Sequence, residues 1–330
     1  MMRLRSGLLA FVVFLAACGG DNVADTVAAP SFNIDTSRIT VSGISSGAYM
    51  AGQLHVAHSE LFNGAGLIAG GPYWCASGTM KKGLGPCMNG GDVGLQELLD
   101  YAEQQEKSAA IDALDNLKDD KAWIFHGTLD SIVNAEVPAA ARSFYEAFLG
   151  AENITLVTEV EAPHGMPTLA VGADCANVTT PFLNACSYDA AGALLQALAG
   201  PLNARTTATG ELLAVAQPGA SDAEMLKTAL LYVPSSCTGG EPCGVHVALH
   251  GCQQSAEFVG DAFAAGAGYN EWAESNNLLV LYPQVASSKI APLNPLGCWD
   301  WWGYTGDNYA TKSGAQVAAI KATLDSLTDT

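Results

Sequence analysis

The sequence predicts an α/β fold: a mostly parallel central sheet with helices on both faces. Two observations carry this. Short apolar, β-branched runs alternate with longer amphipathic stretches, as in βα units whose strands are covered on both sides. In addition, 49% of the 330 residues are hydrophobic, enough to bury such a sheet in one globular domain over 31–330. In chain order the strand candidates are 38–44, 65–71, 122–127, 154–160, 229–235, 246–251 and 278–283. Between them, 48–62 sets Met50, Leu54, Ala57 and Leu61 at helical spacing, and 92–106 and 136–150 are amphipathic. A last helix, 313–327, aligns Val317, Ile320, Leu324 and Leu327 on one face. No internal repeat interrupts this pattern.

Ahead of the domain, residues 1–17 carry Arg3 and Arg5 and then an apolar run, the form of an export signal. The segment LAAC ends at Cys18, which is expected to become a lipidated first residue. Gly19 and Gly20 follow instead of an aspartate, which favours the outer membrane or cell surface, with residues 18–30 as a flexible tether. An ordinary signal peptide and a secreted chain is the alternative. The formal charge is −19, and it becomes more negative once Arg3 and Arg5 are removed. That excludes nucleic acid and anionic lipid headgroups as expected partners, leaving the Cys18 anchor as the one expected link to a membrane. The protein is expected to be a monomer.

Apart from Cys18, the cysteines are Cys75, Cys87, Cys175, Cys186, Cys237, Cys243, Cys252 and Cys298. An even set in an exported chain favours disulfides, although eight cysteines permit 105 connectivities. Local spacing suggests 75–87, 175–186 and 237–243, leaving Cys252 with Cys298. No metal site is expected. His246 and His250 would stand roughly 13 Å apart on a strand, and His55 and His58 have no evident third ligand.

Gly43-Ile44-Ser45-Ser46-Gly47 fits G-x-S-x-G between a strand and a helix. A chain that turns sharply there needs small residues at both glycines and exposes the central serine in a strained conformation. The frame selects Ser45 as nucleophile. Ser46 would need glycines where Ile44 and Ala48 stand, and it is expected instead to offer its N–H to an oxyanion. The base candidate is His164, in a Pro/Gly loop after 154–160, and the acid candidate is Asp130, on the loop after 122–127. His55 and His58 read as packing or surface residues, and His126 and His246 as core histidines. Asp119 and Asp120 precede their strand, and Asp189 lacks one before it. The order Ser45, Asp130, His164 is that of α/β-hydrolases.

One component is out of place. A second oxyanion donor usually comes from an HG loop before the nucleophile. Here HVALHGCQQS lies at 246–255, near the other end, with Cys252 offering its N–H and His250 in a structural role. The fold expected is therefore a circularly permuted α/β-hydrolase, whose final helix would feed the first strand if the termini were joined.

The segments GISSGAYMAGQLHVAHSELFNGAGLIAGGPYWCA, HGTLDSIV, APHGMP, HGCQQS and NPLGCWDWWGY together resemble the catalytic domain of secreted polyhydroxybutyrate depolymerases of the permuted single-domain type. That resemblance spans roughly 35–310 and implies Ser45, Asp130 and His164 as the triad. It also implies the N–H groups of Ser46 and Cys252 as the oxyanion hole, and an aromatic wall in the segment holding Trp299, Trp301 and Trp302. Three tryptophans in four residues cannot all bury on one face, so at least one is expected to be exposed or in the cleft, with Trp302 the choice among the three to line it. The resemblance implies a serine esterase acting on poly(3-hydroxybutyrate) or its oligomers without a cofactor. The separate polymer-binding domain of many family members has no counterpart here, so efficient attack on crystalline polymer is not expected. The alternatives are a feruloyl or acetylxylan esterase and, from another class, a non-catalytic polymer-binding lipoprotein.

Overall fold

The computed structural model describes residues 30–328. The signal, Cys18 and nearly all of the tether lie outside them. Eight strands form the main sheet: β1 (Ile34–Ile44), β2 (Gly64–Ile68), β3 (Lys121–Phe125), β4 (Ile154–Val157), β8 (Glu211–Ala216), β9 (Thr228–Val233), β10 (Cys243–Leu249) and β11 (Leu278–Tyr282). Three very short strands, β5 (Met166–Thr168), β6 (Ala173–Asp174) and β7 (Leu183–Ala185), make a separate parallel ribbon in the order β5-β7-β6.

The main sheet runs β4-β3-β2-β1-β10-β11-β9-β8. It is parallel throughout except at β9, which is antiparallel to both β11 and β8. Side chains alternate between two cores. Val245, Val247 and Leu249 face one with the helices Ser46–Ala57 and Ala315–Asp325, while Ala248, Val280 and Tyr282 face the other with Ala190–Ala199 and Tyr269–Asn276. Burial on both faces is why these strands read as continuous apolar runs.

β1 lies between β2 and β10, so the strand bearing Ser45 sits beside the strand bearing the HGC loop. A chain starting at β8 would lay the sheet down from that edge to the other with only β10 and β11 exchanged. A permuted arrangement needs the two ends side by side, and the Phe32 N–H donates to Leu327 O at 3.0 Å.

Several elements go beyond the sequence reading. Ala190–Ala199 (AAGALLQALA) is nearly all apolar and shows no polar face to reveal a helix. β8 (ELLAVA) is built from good helix formers, yet pairs along its length with β9, a tertiary override of local propensity. The four disulfides are those suggested by spacing: Cys75–Cys87, Cys175–Cys186, Cys237–Cys243 and Cys252–Cys298.

Candidate active site

Ser45 ends the β1 run with φ 56° and ψ −120°, a region that costs a non-glycine residue strain and that recurs at functional turns. The flanking glycines are sterically required. A Cβ on Gly43 would stand 2.2 Å from Gly47 O, and one on Gly47 would stand 2.4 Å from His250 O and 2.6 Å from Leu249 O. The Ser45 N–H donates to Ile68 O at 2.8 Å, anchoring the turn to the end of β2.

The acid and base loops are joined backbone to backbone. The His126, Thr128 and Leu129 N–H groups donate to Val157 O, Val160 O and Ala162 O at 2.9, 2.9 and 3.1 Å. Gly127 allows this approach, since a Cβ there would lie 2.0 Å from Ala162 O. The chain thus places Asp130 Oδ2 2.8 Å from His164 Nδ1, and His164 Nε2 3.0 Å from Ser45 Oγ. Asp130 Oδ1 accepts the Ile132 and Val133 N–H groups at 2.8 and 2.9 Å. Burial opposes charge on Asp130, but the His164 contact and these two N–H bonds outweigh it and hold the carboxyl below its usual range. An ionised carboxylate only accepts, so Nδ1 carries the proton and Nε2 is left to accept from the Ser45 hydroxyl.

The other histidines have structural partners. His246 is wholly buried between Thr40 Oγ1 (2.8 Å) and Ser42 Oγ (2.7 Å), and burial lowers it to about 3. His250 contacts Gly251 O through Nδ1 at 2.7 Å and is lowered by burial to about 4. His126 Nε2 donates to Val133 O at 2.9 Å, closing the acid loop from below. His55 lies between Tyr145 and Asp120, so Asp120 serves the core at the opposite end of β3. Among the described residues no three His, Cys, Asp or Glu side chains cluster as metal ligands.

Ser46 opens the helix, where its N–H has no partner in the helical ladder. Its hydroxyl is buried and accepts the Trp299 N–H at 3.3 Å. The Gly251 N–H is taken by Gln254 Oε1 at 2.7 Å and the Gln253 N–H by Leu296 O at 2.7 Å, leaving the Cys252 N–H between them. The Cys252–Cys298 bridge ties this loop to the tryptophan segment.

Above these groups opens a cavity of about 460 Å³, lined chiefly by apolar side chains such as Met80, Leu84, Val178, Phe182, Leu293 and Leu296. Trp301 and Trp302 both line it, packed edge to face at 5.6 Å, with Trp301 stacked on Tyr49 at 4.7 Å. Trp299 is a correction. It is fully buried, and its indole N–H donates to His250 O at 2.9 Å, so it packs beneath the HGC loop and does not reach the cleft. Asp300 shapes this segment. Its buried carboxylate accepts the Gly303 and Tyr304 N–H groups on Oδ1 and the Thr305 N–H and hydroxyl on Oδ2, at 2.6–2.9 Å. Gly127, Tyr49, Gln254 and Asp300 went unread in the sequence. The HG doublet at 126–127 was the one available signal.

The fold and this constellation define a serine hydrolase of the α/β-hydrolase type. Residues 22–187, a span holding Ser45, Asp130 and His164, match the prolyl oligopeptidase family. The chain is 40% identical over 319 residues to a poly(3-hydroxybutyrate) depolymerase of Delftia acidovorans, covering 94% of this chain and 64% of that protein. It is 39% identical over 329 residues to a polyhydroxybutyrate depolymerase of Talaromyces funiculosus, covering 94% of each. A crystal structure of PHB depolymerase from Penicillium funiculosum superposes with a TM-score of 0.86 at 37% identity, covering 92% of this chain and 99% of that one. A serine-to-alanine variant of PHB depolymerase complexed with an R3HB trimer matches equally well. The chain belongs to the prolyl oligopeptidase family by the first match and, over nearly all its length, to the polyhydroxybutyrate depolymerases.

Proposed function

We propose that this chain hydrolyses the ester bonds of poly(3-hydroxybutyrate) or its oligomers through an acyl-enzyme on Ser45. The observation that carries this is the Asp130–His164–Ser45 relay opening onto an apolar cleft. Ser45 Oγ attacks the carbonyl carbon as His164 Nε2 takes its proton. Asp130 holds the tautomer and stabilises the imidazolium. The tetrahedral oxyanion receives the Ser46 and Cys252 N–H groups, each such donor being worth about 3 kcal/mol. His164 returns the proton to the leaving alcohol. It then takes one from water, whose oxygen attacks the acyl carbon and releases a 3-hydroxyacid or a shorter oligomer with Ser45 restored. Trp301 and Trp302 flank the chain of ester units.

Met80, Leu84, Ile132, Val178, Leu293 and Leu296 are 43–58% exposed around the cleft mouth, a dry rim suited to a polyester. The disulfides fit an oxidising compartment outside the cytosol. The chain is further proposed to act as a monomer held at the outer membrane by lipid on Cys18, and mass spectrometry of the mature N-terminus tests that anchor. The activity is tested by clearing of polyhydroxybutyrate granules with product analysis, beside 3-hydroxybutyrate oligomers and feruloyl and acetyl xylan. Release of 3-hydroxybutyrate products supports it. Turnover of the xylan esters alone would replace it with a carbohydrate esterase.

A further inference from the structure

Gln254 is a polar side chain only 2% exposed, and it lies beside the nucleophile. Its Oε1 accepts the Gly251 N–H at 2.7 Å. Its Nε2 donates to Pro181 O at 2.9 Å and reaches Phe182 O at 3.4 Å. Phe182 O also accepts the Met166 N–H at 2.8 Å, two residues beyond His164. One amide therefore ties three segments: the HGC loop, the wall loop at 181–182 and the stretch that follows the base. Gly251 is confined on its other side too. A Cβ on it would lie 2.8 Å from Gln254 Oε1, 3.3 Å from Ile44 O and 3.5 Å from Ser45 Cβ. The Gln253 N–H points away to Leu296 O, from a backbone at φ 60°.

We propose that Gln254 is a positioning residue for the oxyanion hole. By binding the Gly251 N–H it fixes the 250–251 peptide, from which the 251–252 peptide, held at Gly251 O by His250 Nδ1 at 2.7 Å, presents the Cys252 N–H to the reacting carbonyl. By holding Pro181 O and Phe182 O it keeps that peptide in register with the loop carrying His164. This rests on the acyl-enzyme reading above. Two features separate the role from mere packing. The side chain is an amide whose acceptor and donor ends are both used, and the acceptor end meets the peptide directly before the one that carries the Cys252 N–H.

The test compares Gln254→Met, which loses both ends, with Gln254→Glu, which keeps an acceptor for Gly251. Loss of an oxyanion donor costs on the order of 10²–10³ in kcat, and a misaimed one should cost roughly tenfold or more. In the Met variant, kcat for p-nitrophenyl butyrate should fall by about that factor with KM within about threefold. Affinity for n-butylboronic acid, whose serine adduct places an oxygen in the hole, should fall in parallel. The Glu variant should recover at least threefold of the lost kcat. If the Met variant does not fold, Gln254→Asn, which shortens the acceptor's reach, takes its place with the same expectation. A folded Met or Asn variant with kcat within twofold of the parent, a rise in KM alone, or a Glu variant no better than Met would each overturn the proposal. A parent enzyme that takes no boronate on Ser45 would overturn the acyl-enzyme reading and the proposal with it. A parent that takes it normally, beside an unaffected Met variant, would overturn the role of Gln254 alone.

Discussion

The floor and the wall of this cleft are held in different ways. On the floor, the reacting serine is located by backbone: β1 sits between two parallel neighbours, and the turn at Ser45 is enforced by contacts that only Gly43 and Gly47 permit. Among the described residues no disulfide is anchored within 43–48, and the Cys252–Cys298 bridge meets that stretch only where Cys252 Sγ lies 3.4 Å from Ser46 Oγ. The wall is built from loops at 178–182 and 293–302 that lie outside the main sheet, and it is held by side chains and cross-links: Cys175–Cys186, Cys252–Cys298, the Asp300 carboxylate and the Gln254 amide. Backbone ladders fix atoms collectively, so the floor should tolerate little change and fail as a whole. Wall contacts are separable, so their loss should grade turnover, binding and stability independently.

The largest test of that contrast is on the floor. Ser45→Ala should lower kcat on p-nitrophenyl butyrate by on the order of 10⁶-fold, the scale for removing a serine nucleophile. Ser46→Ala keeps the N–H and loses the bond from Trp299 and the 3.4 Å contact with Cys252 Sγ, and should retain activity within about tenfold. Equal losses in the two would overturn the elbow frame.

The second test is acid stability. His58, His246 and His250 are held by burial at about 4, 3 and 4, so the unfolded chain takes up their protons first as pH falls. Their contribution is complete above about pH 6.5 and is lost between pH 6.5 and 3–4, with a slope approaching about 1.4 kcal/mol per pH unit for each histidine. Two of the three lie on or at the end of β10, beneath the elbow, so acid should weaken the floor before the wall. Urea midpoints from pH 8 to 4.5 check this. His246→Gln should flatten the slope by about one proton, and stability independent of pH over that range would refute the account.

The third test is on the cross-links. In the chain-entropy picture the Cys252–Cys298 bridge, 46 residues apart, is worth about 4 kcal/mol, and Cys237–Cys243, 6 apart, about 2. Replacing the first pair with serines should lower both Tm and kcat, the latter roughly tenfold through the Cys252 N–H. Replacing the second, remote pair should lower Tm alone. Loss of kcat in both would mean that the active site senses overall stability and no particular bridge.

What the sequence disclosed follows the same division. Gly43, Ser45 and Gly47 were legible because a strand-to-helix turn has a fixed residue pattern. Asp130 and His164 were legible because loops after parallel strands lie at one end of the sheet. The HGC segment was legible as a strand ending in a known turn, even displaced to the far end of the chain. The disulfides followed from short spacings and elimination. Where no period exists the reading failed. Trp299 looks like Trp301 and Trp302 on paper, because an irregular loop carries no face-to-face alternation. Gln254 and Asp300 act through partners 73 residues away or through a coil of consecutive N–H groups, neither of which leaves a mark in local sequence.

The tryptophans give the finest test, because three residues in one short segment belong to opposite sides of the contrast. Trp299 is fully buried against His250, so Trp299→Ala should cost about 3–5 kcal/mol of stability. Near neutral pH, well below the Tm, the molecules that remain folded should bind substrate with unchanged KM. Trp302 is half-buried at the cleft, edge-on to Trp301 and 4.9 Å from Tyr304. Its removal opens space beside the substrate without disturbing a strand. Trp302→Ala should therefore raise KM for 3-hydroxybutyrate oligomers by roughly threefold to tenfold, the scale of one aromatic contact. It should leave kcat within about twofold and Tm within a few degrees. Kinetics on oligomers of increasing length sharpen the point: the KM penalty should grow with length until the added unit passes Trp302 and then level off. A penalty independent of length would place Trp302 in the support of the loop and leave Trp301, stacked on Tyr49, as the aromatic surface against the ester chain.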